Sequence, residues 1–197
     1  MSRKVFDILA SSAGVVVVVV LVIAGGLLTW GHTFVSNNVH DQLAQQQIYF
    51  PPKAAFDHPK AGTEITPSMI PSVSQYAGQQ LLTGPQAKVY ANDFIAVHLS
   101  EMPYGGTYSK ISAAALTNPK NTQLATLKQT AFTGTTLRGL LLEAYAFSTI
   151  GTIMLWGAIA AFIAALCMSV LVGLGFWHAR RTTQEAQVLA PKTAPAS

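Results

Sequence analysis

The sequence predicts an all-α membrane protein: two transmembrane helices with a helical extracytoplasmic domain inserted between them. Three observations predict it. Two long runs lack any charged residue, Lys and Arg cluster beside one end of each run, and the stretch between them carries helix signals but no strand pattern. Composition agrees. Half of the 197 residues are hydrophobic and only 10% are charged, against about a quarter charged in an average soluble domain.

Residues 1–7 form a short N-terminal segment. The first span is residues 8–30, from Ile8 to Trp30, 23 residues without a charge, where about 20 suffice to cross a bilayer. Its centre, Val15 to Val20, is six consecutive valines. In water that run favours strand; in lipid only a helix satisfies its own backbone. A cleaved signal peptide is the rival reading, because Ala24-Gly25-Gly26 offers small residues. The chain stays apolar beyond that point, however, and lacks an Ala-x-Ala site.

Residues 31–155 form the helical domain, including stalk extensions of both spans. Phe34, Val35, Val39, Leu43 and Gln46 continue the helical spacing to about Gln47, where Pro51-Pro52 should end it. Residues 50–66 read as an irregular connection containing Pro59 and Gly62. Thr66-Pro67 signals a helix start, with Pro71 placing a later start at Ser72 as the alternative. That helix should run through Tyr76 to Leu82 and stop at Gly84. Pro85 should open the next helix. Tyr90, Phe94, Val97 and Glu101 mark one of its faces, Ala91, Ile95, His98 and Met102 the neighbouring one, and Pro103 with Gly105-Gly106 ends it. Ser109 should cap a short helix through Ile111, Ala115 and Leu116. Asn118-Pro119 should cap another that ends at Gly134, and Thr135 or Thr136 the last, which continues through Leu140 and Leu141 into the second apolar run.

That run, Ala144 to Trp177, is 34 residues without a charge, about 51 Å of helix and longer than a hydrocarbon core of ~30 Å. The tryptophans set the span at residues 156–177. Trp156 and Trp177 are separated by about 32 Å of helix, one at each interface, with Trp30 expected level with Trp156. Residues 178–197 read as a cytoplasmic disordered tail.

Orientation follows from charge. Arg3 and Lys4 flank the first span, and Arg180 and Arg181 flank the second. No Lys or Arg lies between Trp30 and Lys53. Both termini are therefore expected inside a bacterial plasma membrane. Trp30, Trp156, Trp177, Arg180 and Arg181 are the expected interface anchors. The middle of the chain is close to neutral, without a basic stripe, so a nucleic-acid surface is not expected. One cysteine, Cys167, excludes an intramolecular disulfide.

Gly157, Ala161, Ala165, Ser169 and Gly173 recur every four residues in the second span. Small side chains let helices approach closely in lipid. Two partners remain open for this face: the first span, through Ala10, Gly14, Gly25 and Gly26, or another subunit. His98 with Glu101 is a single i,i+3 pair, and without a Glu-x-x-His elsewhere it does not amount to a bundle metal site. His32 and His178 lie at opposite membrane faces, and His178 reads as an interface anchor. Nucleophile, phosphate-loop and paired-cysteine motifs are absent, and the spans hold no ionisable group of the kind pumps use.

The stretches "GGLLTWGHTFV", "IYFPPKAAF", "YAGQQLLTGPQA", "TLRGLLLEAYAF" and "GLGFWHARR" resemble a group of actinobacterial two-span membrane proteins. The resemblance covers Arg3 to Arg181. Some members carry a label naming an aromatic ring-opening dioxygenase small subunit. Those enzymes are soluble and need a non-haem iron site, for which this sequence has no residue cluster, so the resemblance implies topology rather than activity. No catalytic residue, cofactor or metal is expected. The expected role is a non-enzymatic accessory or scaffold subunit facing a membrane or extracytoplasmic protein partner, or a second copy. The alternative is a sensor or ligand-binding module. Only about 20 residues follow Trp177, too few for a folded output domain, so a sensor would need a separate signalling partner.

Overall fold

The structure, a computed structural model, describes residues 3–60 and 63–181. Residues 178–181 of the expected tail are the last turn of a helix, and the tail's remainder, 182–197, and Gly62 of the expected connection lie outside the described residues. The described chain is helical, with no strand and one isolated antiparallel bridge, Tyr49 to Gln80. It divides into two compact units, Met1–His32 with Ile153–Ser197, and Thr33–Thr152.

The first unit is an antiparallel pair formed by the N-terminal part of α1 (Arg3–Gln46) and the C-terminal part of α6 (Thr122–Arg181). Its register is read from the close approaches. Gly31 faces Met154, Gly157 faces Leu28, Gly25 faces Phe162, Gly14 faces Val172 and Gly175 faces Ser11. Trp30 therefore stands level with Trp156, as expected. Asp7, Ser11, Gly14, Val18, Leu21, Gly25 and Leu28 are buried or half-buried on α1, at alternating steps of four and three. On α6 the same alternation picks out Met154, Ala158, Ala161, Ala165, Met168, Val172, Gly175 and Ala179. This is a heptad seam, the pattern that lets two helices stay in contact by a gentle left-handed wrap.

Away from the seam the side chains face outward and, between the charged ends, are mostly apolar. Leu27 and Leu166 are 64% and 68% exposed. A soluble core helix would cover such residues, because exposing them to water costs about 25 cal/mol per Å². Thr29 and Ser169 return their hydroxyls to the carbonyls of Gly25 (2.8 Å) and Ala165 (2.7 Å), so neither leaves an unsatisfied donor. Both helices are long and apolar enough to cross a membrane.

The second unit holds its own core, built from Leu43, Phe50, Ile65, Met69, Val73, Leu81, Ala87, Ala91 and Leu141. α1 stops one residue short of the expected Gln47. Gln47 itself takes a positive φ of 52° and reverses the chain before Pro51-Pro52 is reached. Segment 48–50 then lies against 79–81, with Phe50 N–H donating to Gln79 O and Leu81 N–H to Ile48 O, each at 2.9 Å. The helix expected from Thr66 to Leu82 is instead a series of short turns, 3-10 at Pro67–Met69, α2 at Ile70–Val73 and 3-10 at Ser74–Tyr76. Gly78, at φ 71°, turns the chain out of it. Gly84 is not a stop but the first residue of α3 (Gly84–Val89).

A capping box starts α3. Thr83 Oγ1 accepts from Gln86 N–H, and the Gln86 side-chain oxygen Oε1 accepts from Thr83 N–H at 3.0 Å and Leu82 N–H at 2.9 Å. The helix widens into a π-helical segment, Tyr90–Ile95, and resumes as α4 (Ala96–Glu101). Pro103 ends it as expected, followed by three left-handed residues, Tyr104, Gly105 and Gly106. A side chain at Gly106 would run into the Leu99 backbone. α5 spans Tyr108–Thr117 from Thr107 rather than from Ser109. Asn118-Pro119 forms a turn, and Asn121 caps α6 by accepting from Leu124 N–H at 3.1 Å.

From there α6 is unbroken. The expected end at Gly134 and restart at Thr135 or Thr136 do not occur. Gly134 stays helical because its missing side chain admits Leu99, whose Cδ2 would lie 2.9 Å from an added Cβ.

Candidate functional site

The expected five-residue ladder divides on the seam. Ala165 is 4% exposed and Ala161 half-buried, both on the heptad rows, while Gly157 borders the seam against Leu28. Ser169 and Gly173 face outward, and a Cβ at Gly173 would meet nothing within 4 Å. The reason is geometric. Four residues advance a helix by 40° more than a full turn, so a strict four-residue repeat rotates off a contact line that a 4-3 alternation follows. On the partner helix, Gly14 and Gly25 make the contact expected of them, whereas Ala10 and Gly26 are exposed.

The residues expected as anchors stand at the two ends of this pair. Trp30, Trp156 and Trp177 are exposed. The Arg181 guanidinium lies 4.0 Å from the Trp177 ring centroid, a cation–π contact, and Arg180 is exposed beside it. His178, expected as an interface anchor, makes a contact across the pair. Its Nδ1 is 2.8 Å from Asp7 Oδ2, which ties the ends of α1 and α6 together.

Several grooves open on the Thr33–Thr152 unit, among them two beside α6. The first, about 310 Å³, runs between α1 and α6. Val35, Val39, Leu43 and Ala144 form its floor, Phe34, Leu140 and Phe147 stand on its walls, and Asn38, Gln42, Gln46 and Glu143 are its polar members. Those three wall residues are 55%, 53% and 49% exposed. An apolar strip with polar members, left open by a unit that has already formed its core, has the make-up of a contact surface.

The second groove, about 480 Å³, lies between α4 and the stretch 129–134 of α6, with Phe94, His98, Leu99, Met102, Thr130 and Thr133 on its lining. An aromatic chain leads to it from the core. Tyr76, Phe50, Tyr90, Phe94 and His98 follow one another at centroid distances of 5.1, 5.2, 4.8 and 4.6 Å, within the range of favourable ring pairs. Burial, and then the negative charge of Glu64, raise the Tyr90 hydroxyl above its ordinary 10.0. Across the π-helical segment, Arg138 Nη2 donates to Asn92 Oδ1 at 2.9 Å, while its Nε is buried without a partner.

Among the described residues no group of three His, Cys, Asp or Glu side chains is placed to hold a metal ion. Neither groove was foreseen from sequence, although the helical faces that form them, Phe34-Val35-Val39-Leu43 and Ile95-His98-Met102, were. Comparison of the chain with family models, with curated proteins and with solved structures finds no match.

Proposed function

We propose that this chain is a non-enzymatic accessory subunit of a bacterial plasma-membrane complex. Its two apolar helices span the bilayer with both termini inside, and the Thr33–Thr152 unit docks a protein partner outside. The observation that carries this reading is the first groove, where Phe34, Leu140 and Phe147 stay half exposed over an apolar floor. The inside orientation is supported by Arg3, Lys4, Arg180 and Arg181, which flank the same end of an antiparallel pair.

A photo-crosslinking residue at Leu140 or Phe147 tests the docking surface. The expected result is one adduct of defined mass from these two positions and none from exposed Lys120. An adduct at twice the chain mass would make the partner a second copy. A small ligand carried through purification, with no adduct, would favour the sensor reading instead, since about 310 Å³ is at the small end of ligand pockets. Equal labelling from all three positions refutes the docking surface. For orientation, a reporter active only in the cytoplasm should work when fused after Ser197 and fail when inserted at His58; activity at His58 overturns the topology.

A further inference from the structure

We propose that the second groove binds a soft monovalent metal ion, copper(I) or silver(I), through the Nε2 of His98 and the thioether of Met102. His98 Nδ1 lies 2.9 Å from the Phe94 carbonyl oxygen. A carbonyl only accepts, so Nδ1 carries the proton. In the neutral ring Nε2 then carries a bare lone pair, and among the described residues no protein group pairs with it. A histidine that donates one ring N–H to a backbone carbonyl and leaves the other nitrogen open has the arrangement that orients metal-ligating imidazoles. The ring is also held in place by the edge contact with Phe94 at 4.6 Å.

Met102 stands four residues on, one helical turn away, and lines the same groove. Two of the polar neighbours hydrogen-bond along their own helix. Thr130 Oγ1 donates to the Thr126 carbonyl at 3.1 Å, and Gln129 Nε2 contacts Thr133 Oγ1 at 3.4 Å. His98 supplies an imidazole nitrogen and Met102 a thioether sulfur, a pair that selects soft ions over hard ones. No charged side chain lines the groove. A divalent ion would leave twice the uncompensated charge of a monovalent one in this largely apolar setting, and copper(I) and silver(I), with filled d shells, accept low coordination numbers.

Copper(I) competition against a chromophoric chelator tests the site. The full-length chain is used in mild detergent under anaerobic reducing conditions, with Cys167→Ser to remove the exposed competing thiol. The expected result is one bound equivalent, with affinity lowered at least tenfold by His98→Gln and by Met102→Leu and unchanged by Met154→Leu. In a parallel silver(I) titration followed by methionine-methyl NMR, the Met102 methyl should shift while those of Met69, Met154 and Met168 stay. Met102→Leu keeps the shape of the side chain, so it decides the matter if His98→Gln fails to fold. A parent chain that loses all copper to the chelator, Met102→Leu binding like the parent, or a Met102 methyl that does not move would each overturn the proposal.

Discussion

Replacing Gly84 by alanine should destabilise the Thr33–Thr152 unit, even though alanine is the better helix former. A Cβ at Gly84 would overlap the Cβ of Ser148 and lie 3.3 Å from the Cα of Tyr145. Neither neighbour can swing aside, because a Cβ and a Cα move only with the backbone. Carbon atoms pack at about 3.5–4.0 Å, so α3 and α6 would have to separate by more than about 1 Å. Overpacking of this kind costs about 1–3 kcal/mol, against a helix gain of at most about 1 kcal/mol. Gly139→Ala is the internal control. It lies within α6 with nothing inside 4 Å of its Cβ position, and should be stabilised by about 0.5–1 kcal/mol. The three tryptophans all lie in the other unit, so their fluorescence does not report on this contact. Amide hydrogen exchange across residues 81–97, measured by mass spectrometry in mild detergent, does. Gly84→Ala should lose protection there, Gly139→Ala should not, and adding Ser148→Gly to Gly84→Ala should restore it. If Gly84→Ala exchanges as slowly as the parent, the close approach of α3 to α6 is wrong.

Two further outcomes follow from the seam and the aromatic chain. Ala165→Leu should weaken the pairing of α1 with α6 by about 1–3 kcal/mol, because Ala165 is 4% exposed, while Gly173→Leu should be nearly silent; a cysteine cross-link between the two helices measures both, and equal effects refute the heptad register. Tyr90 bears on alkaline stability. Its folded pKa is raised, so its contribution is fully present below the ordinary 10.0 and is lost as pH rises through the folded value. Tyr90→Phe should therefore flatten the fall in stability above about pH 10, and an unchanged alkaline limb would show that Tyr90 does not ionise on unfolding.

Much of the helical content was legible, because charge-free length and interfacial tryptophan are one-dimensional signals. Residues 8–30 needed no knowledge of a partner to be read as helix, nor did the continuation of α1 past Trp30. The misreadings fall where a residue's role is set by what lies across from it. Gly134 looks like a stop in isolation and is a socket for Leu99 in the fold. Gly84 looks like an end and is instead a point of close approach. Gln47 carries no turn signal, yet it adopts the left-handed conformation that ends α1. Thr83 with Gln86 was legible and was missed: Thr-x-x-Gln is the spacing of a capping box. The ladder from Gly157 to Gly173 was half right for a related reason. Small residues were the correct signal, but their period had to be compared with that of the opposing helix to show which of them touch it.

The end of α1 has a consequence for how the chain comes apart. The Ala44 carbonyl accepts from Gln47 N–H at 3.2 Å and also from the Gln80 side chain at 3.0 Å, a donor 36 residues further along. The last turn of this helix is therefore finished by a loan from a distant segment. Any disturbance that peels 79–81 away from 48–50 removes that donor and the two neighbouring backbone hydrogen bonds together, so unravelling should begin at the C-terminal turn of α1 and spread backward. A protease that needs several residues of extended chain would then find its first cut near Gln45 to Tyr49, where α1 passes into the turn at Gln47.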